Sequence, residues 1–268
     1  MNIPRFFIDC QLIGEAAHTI ALKDVKLVKQ IRKVLRLENG AKIDILDGKG
    51  NIYHCSLQIS AHQQNRDLLQ AKIESKESIA NQPQTKVTIA LPLIKTSRFE
   101  WAIEKLTELG VDTIIPVALS RSVVKLSTDR QSAESKSKFT RWKKIIQEAA
   151  EQCERSMPPK LSPLVLFENW LKSMEDESPA PLRIICAERQ NVQSLENLLY
   201  NQTNLPSSCA IAFGAEGGFT EEEIKLALSH QFIPVSLGPL ILRTETATIY
   251  TLAIVNAFLR LIQKDPQL

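Results

Sequence analysis

The chain contains 268 residues, of which 44% are hydrophobic and 24% are charged, and its formal net charge is +3. This composition is typical of a folded enzyme, and the length favours two domains over one. No unbroken apolar run reaches the roughly 20 residues that a membrane span needs, and the N-terminus lacks the apolar core of a secretory signal. We therefore expect a cytoplasmic protein that does not enter a membrane.

The five cysteines and four histidines show neither the spacing of a zinc site nor that of a disulfide framework. We expect no bound metal, and we interpret the cysteines as small core residues. The net charge is too small to indicate a nucleic-acid partner by itself.

Residues 1–75 predict a small β-rich module that carries one helix. Between Lys23 and Arg36, apolar residues at helical spacing alternate with six lysines and arginines, which predicts a helix with a basic outer face. That face either is solvated or binds phosphate, and spacing alone leaves both open. The two alternating segments that follow are joined across residues 47–50 (DGKG), a strong hairpin signal. The polar stretch 76–86 is typical of a linker.

From Val87 onward, strand and helix patterns alternate, which predicts a mainly parallel sheet covered by helices over residues 87–268. Ser97 and Glu100 have the spacing of a capping box at a helix start. A final long helix is predicted over Thr244–Ile262, and it is apolar on more than one face.

Two glycine-rich turns in the last quarter follow short apolar runs, in CAIAFGAEGGFTEEE (209–223) and FIPVSLGPLILRTETA (232–247). In an open α/β sheet, ligands bind just beyond the carboxyl ends of the strands. Neither turn contains the dinucleotide fingerprint GxGxxG or a Walker A loop. The turns therefore predict a small molecule without a pyrophosphate, held by close backbone contacts.

The chain closely resembles the 16S ribosomal RNA uridine-N3 methyltransferases of the RsmE family, within the SPOUT superfamily. The resemblance rests on IPRFF (3–7), IRKVLRL with the following DGKG, FEWAIEKLTELGV (99–111), EAAEQCER (148–155), GAEGGFTEEEI and LGPLILRTETA, which span nearly the whole chain. It implies an N-terminal PUA-like β-barrel that binds RNA and a SPOUT-type, trefoil-knotted α/β domain with a parallel sheet. It also implies methylation of a uridine N3 in 16S ribosomal RNA of the small ribosomal subunit, with S-adenosylmethionine as methyl donor.

The resemblance further implies which residues bind the cofactor and the RNA. The expected cofactor-binding residues are Phe213, Gly214, Glu216, Gly217, Gly218, Ser236, Leu237, Gly238, Leu242 and Thr246. The expected RNA-binding residues are Arg5, Lys29, Lys33 and Arg36. Members of the family are typically homodimers with the last helix in the interface, so we expect a homodimer.

Three residues are candidates for the chemistry that this resemblance implies. The uracil N3 proton must leave during transfer, so a base, or a cation that stabilises the resulting anion, is expected. Arg121 and Arg243 are candidates for holding the target base or a phosphate, because a guanidinium makes two hydrogen bonds and stays charged. Glu245 is a candidate for orienting Arg243 or removing the proton. Alternatively, Arg121 makes a surface ion pair and Glu245 is a helix-start carboxylate favoured by the dipole.

Three positions depart from the usual family pattern: Ala215 where proline is common, Leu240 where arginine is common, and Gln30 where histidine is common. They keep open an RNA-binding ribosome assembly factor with a weakened methyl-donor pocket. Two enzymatic alternatives also remain, a methyltransferase acting on another RNA position and a nucleotide- or NAD-binding enzyme of the same topology.

Overall fold

The structure is a computed structural model that describes residues 3–8, 13–14, 18–59, 69–78, 85–122, 133–174, 181–187, 192–202, 204 and 206–264. The chain divides into two compact units. The first comprises Met1–Gln82 and Ala150–Pro158, and the second comprises Pro83–Ala149 and Pro159–Leu268. The division into residues 1–75, 76–86 and 87–268 stays a prediction.

The first unit contains a mixed sheet whose described strands run in the order β1-β4-β5-β6-β3-β2. These strands are β1 (Arg5–Phe7), β2 (Ile13–Gly14), β3 (Thr19–Leu22), β4 (Lys42–Leu46), β5 (Asn51–Gln58) and β6 (Leu69–Ser78). Strands β4 and β5 are antiparallel, with Leu46 opposite Ile52, which confirms the hairpin predicted across residues 47–50. The Asp47 carboxylate tightens this turn by accepting from the backbone N–H of Lys49 at 2.8 Å.

The predicted basic helix lies in this unit, in two parts. Helix α1 (Val25–Lys29) continues as a π-helical turn over Gln30–Val34. Asp24 caps the start of α1, because its carboxylate accepts from the backbone N–H of Lys26 at 2.7 Å. The inner face carries the buried side chains of Val28 and Ile31. The predicted basic outer face is therefore present on a helix whose second half is π-helical.

The second unit contains a sheet in which every strand pair described is parallel, as predicted. Its strands are β7 (Lys86–Pro92), β8 (Thr113–Ala118), β9 (Lys160–Leu161), β10 (Val165–Leu166), β11 (Leu182–Cys186), β12 (Ser208–Phe213) and β13 (Ile233–Val235). The order is β10-β8-β7-β12-β11-β13, and β9 also pairs with β8. Cys186 lies opposite both Phe213 and Val235, so β11, β12 and β13 end level at one edge of the sheet.

Helices cover both faces of this sheet. They are α2 (Thr96–Glu108), α3 (Ala133–Gln152), α4 (Phe167–Ser173), α5 (Leu195–Tyr200), α6 (Glu221–Ser229) and α7 (Thr244–Lys264). Side chains of α2, α3, α5 and α7 pack into one hydrophobic cluster, and those of α4 and α6 pack into another. The predicted capping box at Ser97 is wrong, because α2 begins at Thr96 with Lys95 as N-cap and no side-chain cap. Glu100 instead pairs with Arg141 of α3, with 2.6 Å between Oε1 and Nε.

Helix α7 is long and apolar enough to cross a membrane by length and composition alone. This is weak evidence, since the core helices of soluble proteins pass the same test. In the structure, Leu252, Val255 and Leu259 of α7 are buried in the cluster that also contains side chains of α2 and α5. The packing of α7 is thus that of a core helix on at least one face.

Arg183 is a buried cation on β11 that lies at the ends of two helices. Its Nη1 donates to the carbonyl oxygen of His230 at 2.8 Å, and its Nη2 donates to the carbonyl oxygen of Met174. These residues are the C-caps of α6 and α4. Carbonyl oxygens at helix C-termini lack intrahelical partners and carry partial negative charge, which a guanidinium satisfies.

The substitution Arg183→Met should lower the free energy of unfolding by about 2 to 5 kcal/mol, because one buried and one partly buried carbonyl group lose their charged donor. Urea denaturation followed by circular dichroism measures this. Arg260→Met is the control, because Arg260 is exposed on α7, and it should change the free energy of unfolding by less than about 0.5 kcal/mol. Equal urea midpoints for both variants would contradict a structural role for Arg183.

Candidate active site

A cavity of about 590 Å³ opens in the second unit and is lined by residues at the ends of β11 and β12. Its lining is formed by residues 186–187, 213–219, 237 and 241–244, together with Arg98, Arg121, Ile224 and Ala247. The volume lies within the range of about 300 to 1,000 Å³ that is usual for small-molecule sites. The position beyond the carboxyl ends of parallel strands is the one that the sequence predicts for a ligand.

The first glycine turn follows β12 directly. The backbone N–H of Gly218 donates to the carbonyl oxygen of Ala215 at 2.8 Å, and Gly218 has a φ of +70°. A Cβ atom on Gly214 would lie 3.1 Å from the Cα of Gly218, closer than side chains normally approach. The turn therefore depends on glycine at position 214 for space and at position 218 for backbone conformation.

Arg121 follows β8 and hydrogen-bonds to the backbone of this turn. Its Nη1 donates to the carbonyl oxygens of Gly217 and Phe219, both at 3.0 Å. A Cβ on Gly217 would lie 3.1 Å from the Cβ of Arg121, so the two backbones are packed closely here. Arg121 thus lines the cavity while bonding to loop carbonyls, and its predicted contact with RNA stays a prediction.

The second glycine turn follows β13 and leads into α7. Gly238 has a φ of +111°, and its N–H donates to Ser236 Oγ at 3.2 Å. Thr244, at the start of α7, donates from Oγ1 to the carbonyl oxygen of Gly214 at 2.8 Å. This last bond ties the second loop to the first, so the two loops form one wall of the cavity.

Most of the predicted cofactor-binding residues line this cavity. The lining includes Phe213, Gly214, Glu216, Gly217, Gly218, Leu237 and Leu242. Ser236 and Gly238 do not line it but shape the second turn, and Thr246 is exposed on α7. The role of each of these residues in cofactor binding stays a prediction.

Several lining residues were not predicted from the sequence, and the charged one among them is Arg98. Arg98 lies in the first turn of α2, far from both glycine loops in sequence, and no local pattern distinguishes it. Cys186 and Ala187 were also missed, although the end of a strand parallel to β12 could have indicated them. The residues at the end of a strand that pairs in parallel with β12 therefore indicate the site, even where no glycine turn follows that strand.

The acidic groups near the cavity pair with Arg98. Its Nη1 lies 3.2 Å from Oε1 of Glu216, and its Nε lies 3.6 Å from Oε1 of Glu245. The Glu245 side chain is only 8% exposed and does not belong to the cavity lining. Arg243, by contrast, is exposed, lines the cavity, and its guanidinium makes no hydrogen bond or ion pair within the described part of the chain. Glu245 thus pairs with Arg98. Within the described residues Glu245 makes no ion pair with Arg243, and its predicted role in orienting Arg243 stays a prediction.

The predicted RNA-binding residues differ in their availability. Lys29 and Lys33 are exposed on the outer face of the basic helix, and Arg36 is exposed two residues after its end. Arg5 is engaged inside the first unit, with Nε 3.6 Å from Asp44 Oδ2 and Nη2 3.2 Å from Glu154 Oε2. RNA binding by all four residues stays a prediction, and Arg5 would have to leave two carboxylates to take part.

The family departures leave the turn geometry intact. Ala215 is buried, and its carbonyl oxygen accepts the hydrogen bond that closes the first turn. Leu240 is 75% exposed and does not line the cavity. Gln30 begins the π-helical turn. Among the residues that the structure describes, no group of three or more His, Cys, Asp or Glu side chains is placed to hold a metal ion.

Comparisons with known proteins agree with this geometry. The family model of the RNA methyltransferase domain matches residues 80–256, and that of the RNA methyltransferase PUA domain matches residues 31–62. The chain is 36% identical to ribosomal RNA small subunit methyltransferase E of Synechocystis, over 90% of this chain and 74% of that protein. It is 33% identical to the protein of the same name from Bacillus subtilis, over 97% and 99% of the two chains.

A solved structure gives the same result. Ribosomal RNA small subunit methyltransferase E from Neisseria gonorrhoeae, bound to S-adenosylmethionine, matches with a TM-score of 0.79 and 25% identity, covering 96% of this chain and 98% of that one. The similarity confirms the predicted fold class, a PUA-like domain with a parallel α/β methyltransferase domain. The trefoil knot stays a prediction. The chain belongs to the ribosomal RNA small subunit methyltransferase E (RsmE) family of RNA methyltransferases.

Proposed function

We propose that this protein transfers the methyl group of S-adenosylmethionine to N3 of a uridine in 16S ribosomal RNA of the small ribosomal subunit. S-adenosylmethionine-dependent methylation of ribosomal RNA is the activity of its family, and the choice of N3 and of 16S ribosomal RNA is the proposed step. The observation that carries the proposal is the cavity closed by two glycine turns, with the exposed guanidinium of Arg243 on its wall.

The residues of the cavity fit S-adenosylmethionine. An added Cβ on Gly218 or Gly238 would meet no protein atom within 4 Å, so both turns leave open space beside their backbone. Apolar side chains of Phe213, Leu237 and Leu242 line the same space. Backbone groups of the glycine turns would hold the polar parts of the cofactor, and these apolar side chains would contact its ring. When bound, the cofactor supplies a methyl group already activated on sulfur.

The protein's own contribution is mainly alignment and charge stabilisation. Holding acceptor and donor in line is worth about 7 to 11 kcal/mol in favourable cases. As the uracil N3 proton leaves, negative charge develops on the ring and its carbonyl oxygens. Arg243 lines the cavity without another partner among the described residues, so its guanidinium is available to stabilise that charge. Glu245 lies outside the lining, which favours a role in charge pairing over proton removal.

RNA contact is proposed for the exposed basic face of Lys29, Lys33 and Arg36. Replacing all three with glutamine should reduce the slope of log affinity against log salt by about 2 to 3, since each phosphate contact contributes roughly 0.7 to 0.9. Filter binding to 16S ribosomal RNA over a salt series measures the slope. A triple glutamine variant at Lys136, Lys143 and Lys144, exposed on α3, is the matched control and should keep the original slope. Equal slopes for the two variants would count against this RNA face.

The remaining expectations belong to the same proposal. A homodimer with α7 in its interface is supported by the exposed apolar side chains of Tyr250 and Leu261 on a helix that is otherwise part of the core. A cytoplasmic location follows from a ribosomal substrate. The trefoil knot belongs to the same proposal and is supported by membership of the family.

The direct test is incorporation of tritiated methyl from S-adenosylmethionine. We expect the purified protein to label the RNA of small ribosomal subunits, or naked 16S ribosomal RNA, with label that is absent when the protein is omitted. If the protein bound RNA but transferred no methyl group to small ribosomal subunits or to naked 16S ribosomal RNA, the alternative of an assembly factor would be favoured.

A further inference from the structure

We propose that Arg98 is a positioning residue of the methyltransferase site, which fixes the first glycine turn and the start of α7 relative to each other by pairing with Glu216 and Glu245. This inference rests on the proposed function, because it concerns the geometry of the same cavity. The residue itself lies on neither glycine loop.

One guanidinium contacts carboxylates from two separate loops. Arg98 Nη1 lies 3.2 Å from Glu216 Oε1, in the first glycine turn, and Nε lies 3.6 Å from Glu245 Oε1, in the first turn of α7. The nitrogen donors of a guanidinium lie in one rigid plane. The two carboxylates, and the loops that carry them, are therefore held at a fixed separation.

The burial of Glu245 makes this pairing necessary. Its side chain is 8% exposed, and its second oxygen, Oε2, is buried without a hydrogen-bond partner among the described residues. A buried carboxylate is costly unless a charge or hydrogen bond compensates it. Arg98 is the cation that pairs with it in the described part of the chain, with some help from the N-terminal dipole of α7.

Arg98 acts on the cavity through the neighbours of these two carboxylates. Arg243 and Thr244 precede Glu245 directly, and both line the cavity. Thr244 also bonds to Gly214 in the first turn at 2.8 Å. If Glu245 moved to find a new partner, the wall formed by Arg243 and Thr244 would move with it.

The three arginines of the cavity thus have different tasks. Arg121 bonds to turn carbonyls, Arg98 bonds to two carboxylates, and Arg243 is available to substrate. A direct role for Arg98 in binding RNA would leave Glu245 buried without a cation. We therefore assign Arg98 to loop positioning.

The test is a double-mutant cycle on cofactor affinity, measured by calorimetric titration of the full-length protein with S-adenosylmethionine. Arg98→Gln should weaken binding about 10-fold or more, as expected when a coupled site loses its fixed geometry. Glu245→Gln should also weaken binding, by about 3-fold or more, because Arg98 then holds only one carboxylate. The combination Arg98→Gln with Glu245→Gln should bind about as weakly as Arg98→Gln alone, because both substitutions remove the same ion pair.

Arg141→Gln is the matched control. Arg141 also pairs with a mostly buried glutamate of α2, since Glu100 is 12% exposed, but neither residue lines the cavity. This variant should bind S-adenosylmethionine like the original protein. Arg98→Lys should restore part of the lost affinity, since it keeps the charge without the fork.

Two results would overturn the assignment: unchanged affinity for Arg98→Gln, or a double variant whose loss of affinity equals the two single losses combined. A third, unchanged cofactor affinity with a raised KM for RNA, would assign Arg98 to RNA binding instead. Cofactor affinity does not depend on the acceptor, so a failure to methylate 16S ribosomal RNA would leave this test intact. Urea midpoints measured for each variant separate loss of fold from loss of geometry.

Discussion

Gly214→Ala is expected to weaken S-adenosylmethionine binding by about 10- to 100-fold, because overpacking typically costs 1 to 3 kcal/mol. The added Cβ would lie 3.1 Å from Gly218 Cα and 3.2 Å from its carbonyl carbon. Those atoms are backbone, so they can move only if the turn opens. Opening the turn displaces the backbone groups that line the cavity. Calorimetric titration measures the loss.

A matched pair of variants separates an effect on cofactor binding from the stability cost of backbone strain. Gly218 and Gly40 have φ values of +70° and +82°, and an added Cβ would meet nothing within 4 Å at either. Alanine at either position should cost roughly 1 kcal/mol of folding stability, since both backbones adopt the left-handed region. Only Gly218→Ala should also weaken binding of the cofactor, because Gly40 lies in the first unit and the cavity lies in the second. If Gly218→Ala bound the cofactor as tightly as Gly40→Ala, the first turn would not be part of the binding site.

Arg243→Gln is expected to reduce kcat for methyl transfer by about 10²- to 10³-fold, the usual effect of losing a group that stabilises developing charge. Cofactor affinity should stay within about 3-fold of the original, because the Arg243 guanidinium makes no bond that the turns need within the described residues. Single-turnover transfer to small ribosomal subunits, with enzyme in excess, measures the chemical step.

Two further variants sharpen this prediction. Arg243→Lys should recover only part of the rate, since lysine keeps the charge but loses the planar pair of donors. Arg260→Gln, on the same helix and exposed, should transfer at the original rate. If Arg243→Gln also transferred at that rate, another group would have to stabilise the charge that develops during transfer.

Much of the fold follows from the sequence where local chemistry is decisive. The DGKG hairpin forms as predicted, because Asp47 and the following glycines suit a tight turn. The last helix, predicted over Thr244–Ile262, spans Thr244–Lys264. Helix α6 starts with a capping box, in which Glu223 N–H donates to Thr220 Oγ1 at 3.1 Å. The one at Ser97 is absent, because Glu100 faces α3 and pairs with Arg141.

The glycine loops of the site were predictable, whereas the charge network behind them was not. Gly218 and Gly238 both adopt positive φ, a requirement that leaves glycine as a mark in the sequence. Arg98 reaches the same cavity because β7, which precedes its helix, pairs in parallel with β12. That contact joins segments more than a hundred residues apart in sequence, and no local pattern reports it. The cation that pairs with Glu245 comes from α2 and not from its own loop, so no local pattern indicates it, and the role of Glu245 in orienting Arg243 or removing the proton stays a prediction.

The position of the transferred methyl group distinguishes uracil N3 from every other acceptor in the ribosomal RNA. Small ribosomal subunits that lack the modification would be treated with the protein and S-adenosylmethionine, and their 16S ribosomal RNA digested to nucleosides for chromatography and mass spectrometry. We expect a single new nucleoside that co-elutes with N3-methyluridine. A methyl group on uracil C5, on a ribose 2′-hydroxyl or on another base, or no methyl group at all, would contradict this expectation.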